Sequence, residues 1–325
     1  MIAQGLHLVT GATSGIGLRL VDRLLMQGAG HVYVGARSPE RAKELRSLAG
    51  PDRLTILELD LSSLRSVRDF AARLKDRLGA RQLNTIVCNA GLQMAGNRVS
   101  EDGVELTFAT NHLGHFLLVH ELLPNLASDA IVTTTGSGTH DESEPMPRRF
   151  GFRGALFPSA KAVAQGEIGE EGDSPRQQGL DRYATSKLCN MLFVREMARR
   201  HPGRGFYTFD PGFMPDTRLG REAPAALLFV VQRVLPLFSG LMKDMSSADR
   251  SSAMLAELID RPKIFGRSGS YIYFTGDHAR RSAKAEDDDL AADLYAISAA
   301  LTGLAPALEG SPETSPPDRA AAATG

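Results

Sequence analysis

Cysteine is scarce in this sequence, and neither sign of charge is in excess. Cys88 and Cys189 lie far apart and form no C-x-x-C pair, which excludes a disulfide framework and a cysteine-rich zinc site. The formal net charge of −1 lacks the basic excess of a nucleic-acid-binding protein. The start of the chain has no basic region followed by a small-residue cleavage site. We therefore expect a cytoplasmic protein without a nucleic-acid partner.

An uninterrupted apolar run is also lacking. The longest apolar stretch, 223–242, has about the length of a membrane span, but Gln232, Arg233 and Pro236 interrupt it. It is interpreted as a core helix or as a segment that covers a lipophilic substrate, lined by Leu227, Leu228, Phe229, Val230 and Val231. A covering segment could also rest on a membrane surface, so peripheral membrane contact stays open.

Short β-branched runs alternate with amphipathic stretches along most of the 325 residues. This alternation predicts an α/β fold, a Rossmann-like doubly wound parallel sheet of about seven strands with helices on both faces. The predicted strands are 6–11, 31–37, 54–61, 83–91, 129–136, 205–212 and 268–274. Helices are predicted over 15–27, 38–49, 63–78, 103–126 and around Tyr183.

The predicted domain organisation is a single unit over 1–303. Within it, 138–182 is polar and rich in Gly and Pro, and is predicted to be a long insertion-like loop. Residues 213–245 are expected to cover the substrate. The Pro/Ala/Ser-rich tail, 304–325, is predicted to be disordered.

A glycine-rich turn, TGATSGIG at Thr10–Gly17, follows the first predicted strand and opens the first predicted helix. Glycines there allow a tight turn and close approach to a pyrophosphate, and the helix N-terminus offers free N–H groups to it. A dinucleotide cofactor is therefore expected. The residues predicted to bind it in this turn are Gly11, Thr13, Ser14, Gly15, Ile16 and Gly17.

The end of the second predicted strand indicates which dinucleotide is bound. Arg37 stands where an acidic residue would bind the ribose 2′-hydroxyl of NAD, and a guanidinium there can accept a 2′-phosphate. NADP(H) is therefore predicted, although Arg37 could equally be a solvated loop residue. Further along, Asp60 and Leu61 are expected near the adenine, and the N-A-G triplet is expected beside the cofactor. That triplet is Asn89, Ala90 and Gly91.

Tyr183 precedes Lys187 by one turn of a predicted helix, so the ammonium can lie beside the phenol. Taken alone, the pair also suits an amphipathic helix that faces water. With TGxxxGIG, NAG, NHLGHF and YxxxK in this order, however, the chain resembles the short-chain dehydrogenase/reductase superfamily. Within it, TNHLGHFLL and SKLCNMLFVREMARR resemble the branch of retinol dehydrogenases and light-dependent protochlorophyllide reductases.

The resemblance implies roles for residues at matching positions. Tyr183 would exchange a proton with the substrate oxygen, Lys187 would hold the nicotinamide ribose, and Ser137 would bind the substrate oxygen, although Thr135 and Thr139 lie close by. Asn111 would anchor a water that completes the relay. The remaining cofactor contacts would come from Pro211, Gly212 and Thr217.

The resemblance also requires the pKa of Tyr183 to be low. Base strength near pH 7 needs a fall of roughly three units, or about 4 kcal/mol. One cation about 4 Å away at an effective dielectric of 20 supplies about that much, so Lys187 is expected to lower the pKa with help from the oxidised nicotinamide.

Several alternatives remain. The long connection between Ser137 and Tyr183 resembles the protochlorophyllide reductases, but those enzymes carry a cysteine just after the Pro-Gly turn, where this chain has Phe213. A non-catalytic NADP(H) sensor is a further alternative, as are both a homo-oligomer and a monomer. His112 and His115 are interpreted as packing or polar lining, and no metal site is predicted.

Overall fold

In the computed structural model, which describes residues 2–214 and 245–304, one parallel sheet forms the centre of the chain. Its strands are β1 (Leu6–Thr10), β2 (His31–Ala36), β3 (Leu54–Glu58), β4 (Leu83–Cys88), β5 (Leu126–Thr135), β6 (Gly205–Asp210) and β7 (Tyr271–Tyr273). The order across the sheet is β3-β2-β1-β4-β5-β6-β7. Every neighbouring pair is parallel, which confirms the predicted doubly wound sheet of seven strands.

Helices cover both faces of this sheet. In chain order they are α1 (Gly15–Met26), α2 (Lys43–Arg46), α3 (Leu64–Leu78), α4 (Leu106–Phe108), α5 (Gly114–Leu122), α6 (Pro145–Arg149), α7 (Ala160–Gln165), α8 (Pro175–Arg200), α9 (Ala248–Asp260) and α10 (Asp288–Leu301). α1 packs against α9 on one face, while α3 packs against α5, and α8 against α10, on the other.

Alternation along the strands separates the core into two layers. In β1, Leu8 joins the apolar cluster under α3, α5 and α8, whereas the adjacent Val9 joins the cluster under α1 and α9. Successive strand residues point to opposite faces of a sheet, so a largely apolar strand contributes side chains to both layers. Such strands are typical of a sheet that is buried on both sides.

The strand order reverses between β1 and β4. Both strands end at the same edge of the sheet, and in open α/β sheets ligands bind in the crevice at this reversal. The glycine-rich turn follows β1 and Asn89–Gly91 follow β4, so both predicted cofactor segments lie at this crevice.

Residues 138–182, predicted to be a long loop, contain helical structure. α6 and α7 lie within the segment, and α8 already begins at Pro175. Arg153 fastens the segment, because its Nε and Nη2 donate to the two carboxylate oxygens of Asp181 at 3.1 and 2.7 Å, and Nη2 also pairs with Asp173. Asp181 is fully buried on α8. The ion pairs join residues far apart in the segment, which the polar composition did not reveal.

Some sequence predictions concern residues outside the described ranges. Thr217, the apolar stretch 223–242 and the tail beyond 304 belong to this group. Among the helices that the structure describes, none combines the length and hydropathy needed to cross a bilayer.

Candidate active site

The glycine-rich turn is closely packed against the end of β4. Gly11 has φ of +66°, and a Cβ there would lie 2.6 Å from the Cα of Ala90. A Cβ on Gly17 would lie 2.6 Å from the carbonyl oxygen of Gly11. Both positions therefore require glycine, because any side chain would push the turn away from the neighbouring backbone.

Asn89 and Thr10 hold these two segments together. The Asn89 side-chain amide donates to the carbonyl oxygens of Thr10 at 3.1 Å and Gly11 at 3.2 Å. In return, the backbone N–H groups of Asn89 and Ala90 donate to the Thr10 hydroxyl at 3.0 and 3.1 Å. The Asn89 side chain thus holds the backbone of the glycine-rich turn in place. Thr10, the first residue of that turn, is a structural partner to which the motif alone assigned no role.

The N-terminus of α1 opens toward the crevice. Its N-cap residue, Ser14, makes no side-chain capping hydrogen bond, Thr13 and Gly15 are exposed, and nothing lies within 4 Å of a Cβ built on Gly15. Free backbone N–H groups at the start of a helix bind phosphate. The residues present therefore fit the pyrophosphate of a dinucleotide cofactor, and Ile16 is buried beneath them in the core.

Residues after β2 and β3 occupy different environments. Arg37 is exposed directly after β2, and within the described residues it forms no ion pair, so its guanidinium is available to a ligand. Asp60 accepts bonds from the backbone N–H and hydroxyl of Ser62 at 2.9 and 2.6 Å. Leu61 is 5% exposed and belongs to the core, so only its backbone can face a cofactor.

Tyr183 and Lys187 lie together on α8, and both are buried. The Lys187 Nζ is 5.2 Å from the centre of the Tyr183 ring and donates to the Thr135 carbonyl oxygen at 3.2 Å. Asn190, one turn further along, donates to the same oxygen at 3.0 Å. The ammonium therefore faces the tyrosine ring and the end of β5.

In this arrangement Lys187 alone does not lower the pKa of Tyr183, and the lowering expected with oxidised nicotinamide bound stays a prediction. Burial, with a smaller contribution from Asp210, raises the pKa of Tyr183 above its usual value. Burial also lowers the pKa of Lys187 to about 8, although the negative charge of Asp210 opposes this. The reason is that desolvation disfavours the charged form of both groups, and the simple two-charge argument neglected it.

Asn111 lies in a π-helical turn, Ala109–Leu113, between α4 and α5. Its side chain forms a reciprocal pair with the backbone of Leu92, accepting at 2.8 Å and donating at 2.9 Å. It also donates to the Ser186 hydroxyl at 2.9 Å, which donates to the Tyr183 carbonyl oxygen at 2.7 Å. Asn111 is thereby linked to α8, and Ser186 is a connecting residue that the motif did not identify.

Gly91 joins the cofactor crevice to these residues. A Cβ on Gly91 would lie 3.4 Å from the Asn111 Oδ1 and 3.6 Å from the Lys187 Nζ. The triplet after β4 therefore borders both the glycine-rich turn and the residues predicted to move the proton.

Ser137 lies two residues beyond β5 and begins a 3₁₀ turn, Gly138–His140, that packs against α8. Its half-buried hydroxyl accepts from the Thr139 backbone N–H at 3.3 Å. The Thr139 side chain is buried, and Thr135 still belongs to β5. Ser137 is thus the best-placed hydroxyl of the three to meet a ligand.

Aromatic rings from the 138–182 segment lie near Tyr183. Phe152 lies 6.0 Å from the Tyr183 ring, centre to centre. Phe150 stacks on Phe213, which follows the Pro211–Gly212 turn, at 4.9 Å between ring centres. All three phenylalanines are half-buried. They give this side of the site an apolar wall that sequence motifs did not reveal.

His112 and His115 are held by hydrogen bonds inside the fold. The His115 Nδ1 donates to the Asn111 carbonyl at 3.1 Å, so its Nε2 accepts from Thr10 at 2.9 Å. The His112 Nε2 lies 2.9 Å from the Ser298 hydroxyl. Burial lowers the pKa of His115 to about 4, so the ring is neutral near pH 7. Within the described ranges, no three His, Cys, Asp or Glu side chains cluster as metal ligands.

Comparison with known proteins identifies the family. The short chain dehydrogenase model matches residues 6–146. The chain is 30% identical to protochlorophyllide reductase B of Oryza sativa subsp. japonica, covering 94% of this chain and 79% of that protein. It is 34% identical to human retinol dehydrogenase 14, covering 91% and 86%.

Solved structures show the same fold. A crystal structure of an uncharacterised protein from Mycobacterium paratuberculosis is 25% identical, with a TM-score of 0.63 and coverage of 93% and 94%. NADPH-bound carbonyl reductase from chicken fatty liver is 23% identical, with a TM-score of 0.60 and coverage of 85% and 94%. The chain therefore belongs to the short-chain dehydrogenase/reductase family of oxidoreductases, in the branch that includes retinol dehydrogenases and protochlorophyllide reductases.

Proposed function

We propose that this oxidoreductase uses NADP(H) and acts on a lipophilic carbonyl or alcohol through Tyr183, Lys187, Ser137 and Asn111. The observation that carries the proposal is the convergence of Tyr183, Lys187 and Asn111 beside Gly91 at the edge of the cofactor crevice. When bound, the nicotinamide supplies or accepts the hydride.

The side chains account for the proton. In the direction of reduction, the Tyr183 hydroxyl donates its proton to the substrate oxygen as that oxygen gains negative charge. The raised pKa of Tyr183 keeps this proton in place before reaction. Ser137 donates a hydrogen bond to the same oxygen, and the Lys187 ammonium stabilises the tyrosinate that remains.

The preference for NADP(H) depends on Arg37. Arg37→Ser should raise the Kd for NADPH about 10- to 100-fold, because a charge-assisted bond to the 2′-phosphate is lost, while the Kd for NADH changes little. Arg41→Ser is the matched control, since Arg41 is also exposed and lies near Glu40 at 3.8 Å. Fluorescence titration with both nucleotides measures the effect. An equal loss for NADPH and NADH would contradict the assignment.

The lipophilic substrate is supported by Phe152 beside Tyr183 and by the stacked pair of Phe150 and Phe213. Phe152→Ala should lower kcat/KM for long-chain or ring-bearing aldehydes about tenfold, because apolar contact area is lost, and should affect short aldehydes less. A series of aldehydes of increasing length measures the difference. A loss that does not depend on chain length would show that Phe152 only supports the fold.

Light-dependent reduction of protochlorophyllide is the second candidate, because relatives over almost the whole chain are protochlorophyllide reductases. The test of both is NADPH oxidation by the purified protein, with lipophilic aldehydes and ketones in the dark and with protochlorophyllide in light and darkness. Dark turnover supports the first proposal, and turnover of pigment in light alone supports the second. NADPH binding without turnover of any substrate would favour a redox sensor.

A further inference from the structure

A buried carboxylate to which the resemblance assigns no role lies at the end of β6, directly before the Pro211–Gly212 turn. Asp210 is 5% exposed. Its Oδ1 accepts from the backbone N–H of Gly212 at 2.9 Å, and its Oδ2 accepts from the hydroxyl of Tyr271 in a short hydrogen bond. Gly138 lies against the same carboxylate, because a Cβ built on it would lie 4.0 Å from the Asp210 Oδ2. Burial raises the pKa of Asp210, but an ionised carboxylate only accepts, and the Gly212 N–H and the Tyr271 hydroxyl both donate to that form.

These contacts connect three separate parts of the candidate site. Gly138 follows Ser137, Gly212 belongs to the turn beside the predicted nicotinamide position, and Tyr271 is fully buried in β7. Gly212 has φ of +74°, a conformation that favours glycine, so the turn after Asp210 depends on a glycine at this position. Asp210 therefore joins the ends of β5, β6 and β7.

A second connection supports Ser137 from the same side. The His140 Nδ1 donates to the Ser137 carbonyl oxygen at 2.7 Å, and its Nε2 accepts from the Ser282 backbone N–H at 3.2 Å. The His140 ring packs edge-on against Tyr271 at 5.7 Å between ring centres. The residues around Asp210 thus fix the backbone on which the Ser137 hydroxyl depends.

The charge of Asp210 also reaches the catalytic pair. Its electrostatic interaction raises the pKa of both Tyr183 and Lys187. The Lys187 Nζ donates to the carbonyl oxygen of Thr135, and Thr135 pairs in the sheet with Phe209, the residue before Asp210. The ammonium and the carboxylate therefore lie at the ends of adjacent strands, where the negative charge favours the ammonium form.

We propose that Asp210 is a positioning residue for the reaction: its carboxylate holds the Ser137 turn against the Pro211–Gly212 turn, and its negative charge acts on the Tyr183–Lys187 pair. The proposal rests on the proton relay of the proposed function. The other titratable groups that act on this carboxylate and its partner Tyr271 are His140, Tyr273 and Glu144.

The test measures the pKa of Lys187 directly, by NMR titration of protein labelled with 15N-lysine. Lys187→Arg assigns the signal. Asp210→Asn and the smaller Asp210→Ser both remove the charge, and we expect each to lower the pKa of Lys187 by roughly one unit. Tyr271→Phe removes one hydrogen bond but retains the carboxylate, so the pKa of Lys187 should stay within a few tenths of the wild-type value.

Steady-state kinetics provide the second measurement. In the direction of reduction, kcat should fall at alkaline pH as Lys187 loses its proton. This fall should occur at lower pH in both Asp210 variants and at the wild-type pH in Tyr271→Phe. Tyr271→Phe should still lower kcat about tenfold, because the Ser137 turn loses a support, with KM for NADPH unchanged.

Two results would overturn the proposal: a pKa of Lys187 unchanged in both Asp210 variants, or an equal shift in Tyr271→Phe. Lower thermal stability with an unchanged pKa would assign Asp210 a purely structural role. Absence of wild-type turnover would count against the proposed function alone, since the NMR titration requires no substrate.

Discussion

Tyr183→Phe is expected to lower kcat about 10²- to 10⁴-fold, the range typical of losing a positioned acid or base. The substitution removes the hydroxyl that would protonate the substrate oxygen and changes little else. Tyr183 is only 7% exposed, and its ring contacts with Phe152 and Lys187 remain available to phenylalanine. Single-turnover oxidation of NADPH with a saturating aldehyde measures the chemical step, and the Kd for NADPH should be nearly unchanged.

Tyr207→Phe is the matched control for this experiment. Tyr207 is also buried, on β6, but its hydroxyl donates to the Gly266 carbonyl oxygen at 3.3 Å and lies in the opposite core layer. Its loss should leave the rate close to that of the wild type. If Tyr183→Phe retained more than a tenth of the wild-type rate, another group would have to supply the proton.

Gly11→Ala should have the largest effect on stability, a loss of about 2–5 kcal/mol in the free energy of unfolding. Left-handed backbone costs an L-residue about 1–2 kcal/mol, and overpacking adds about 1–3 kcal/mol. The added methyl group would lie 2.6 Å from the Ala90 Cα and would force the turn away from the end of β4. Urea unfolding of the cofactor-free protein measures the change.

Gly15→Ala separates these two costs. Gly15 also has a positive φ, +58°, but nothing lies within 4 Å of its added Cβ. Gly15→Ala should therefore lower the free energy of unfolding by the backbone cost alone, about 1–2 kcal/mol. Equal destabilisation by the two substitutions would mean that the contact with Ala90 contributes nothing.

The strands and the cofactor crevice were predictable because their signals are local. Largely apolar runs such as Leu6–Thr10, LHLVT, identify a buried strand, and the glycines of the turn following it lie within seven residues of one another. The same applies to Tyr183 and Lys187, which one helical turn brings together. Each of these features needs only neighbouring residues to be recognised.

Features that depend on contacts distant in sequence were missed. Asp210 and Tyr271 are 61 residues apart, and nothing in either local sequence links the two. The aromatic wall was missed for the same reason, since Phe150 and Phe213 come into contact only because β6 lies beside β5. The effect of burial, which raises the pKa of Tyr183, was missed because the burial of a side chain depends on the whole fold.

A local prediction also failed. The helix predicted over 38–49 is a 3₁₀ turn, Pro39–Arg41, followed by the single-turn α2. Ala42 leaves the helical region between them, with ψ of +52°, and Ser38 makes no side-chain capping bond. Few apolar side chains face the core here: Ala42 and Leu45 are buried, and a helix with little apolar contact gains little from packing.

The ion pairs of Arg153 have a consequence for how this enzyme could diversify. They fasten the segment that carries Phe150 and Phe152 to Asp181, two residues before Tyr183. Retaining this ion pair alone would not allow the segment to be exchanged, because the Leu156 backbone also bonds the Thr185 hydroxyl on α8 and the Ala160 N–H donates to Asp293 on α10. A different substrate wall would have to keep these contacts for the residues on α8 to stay in register.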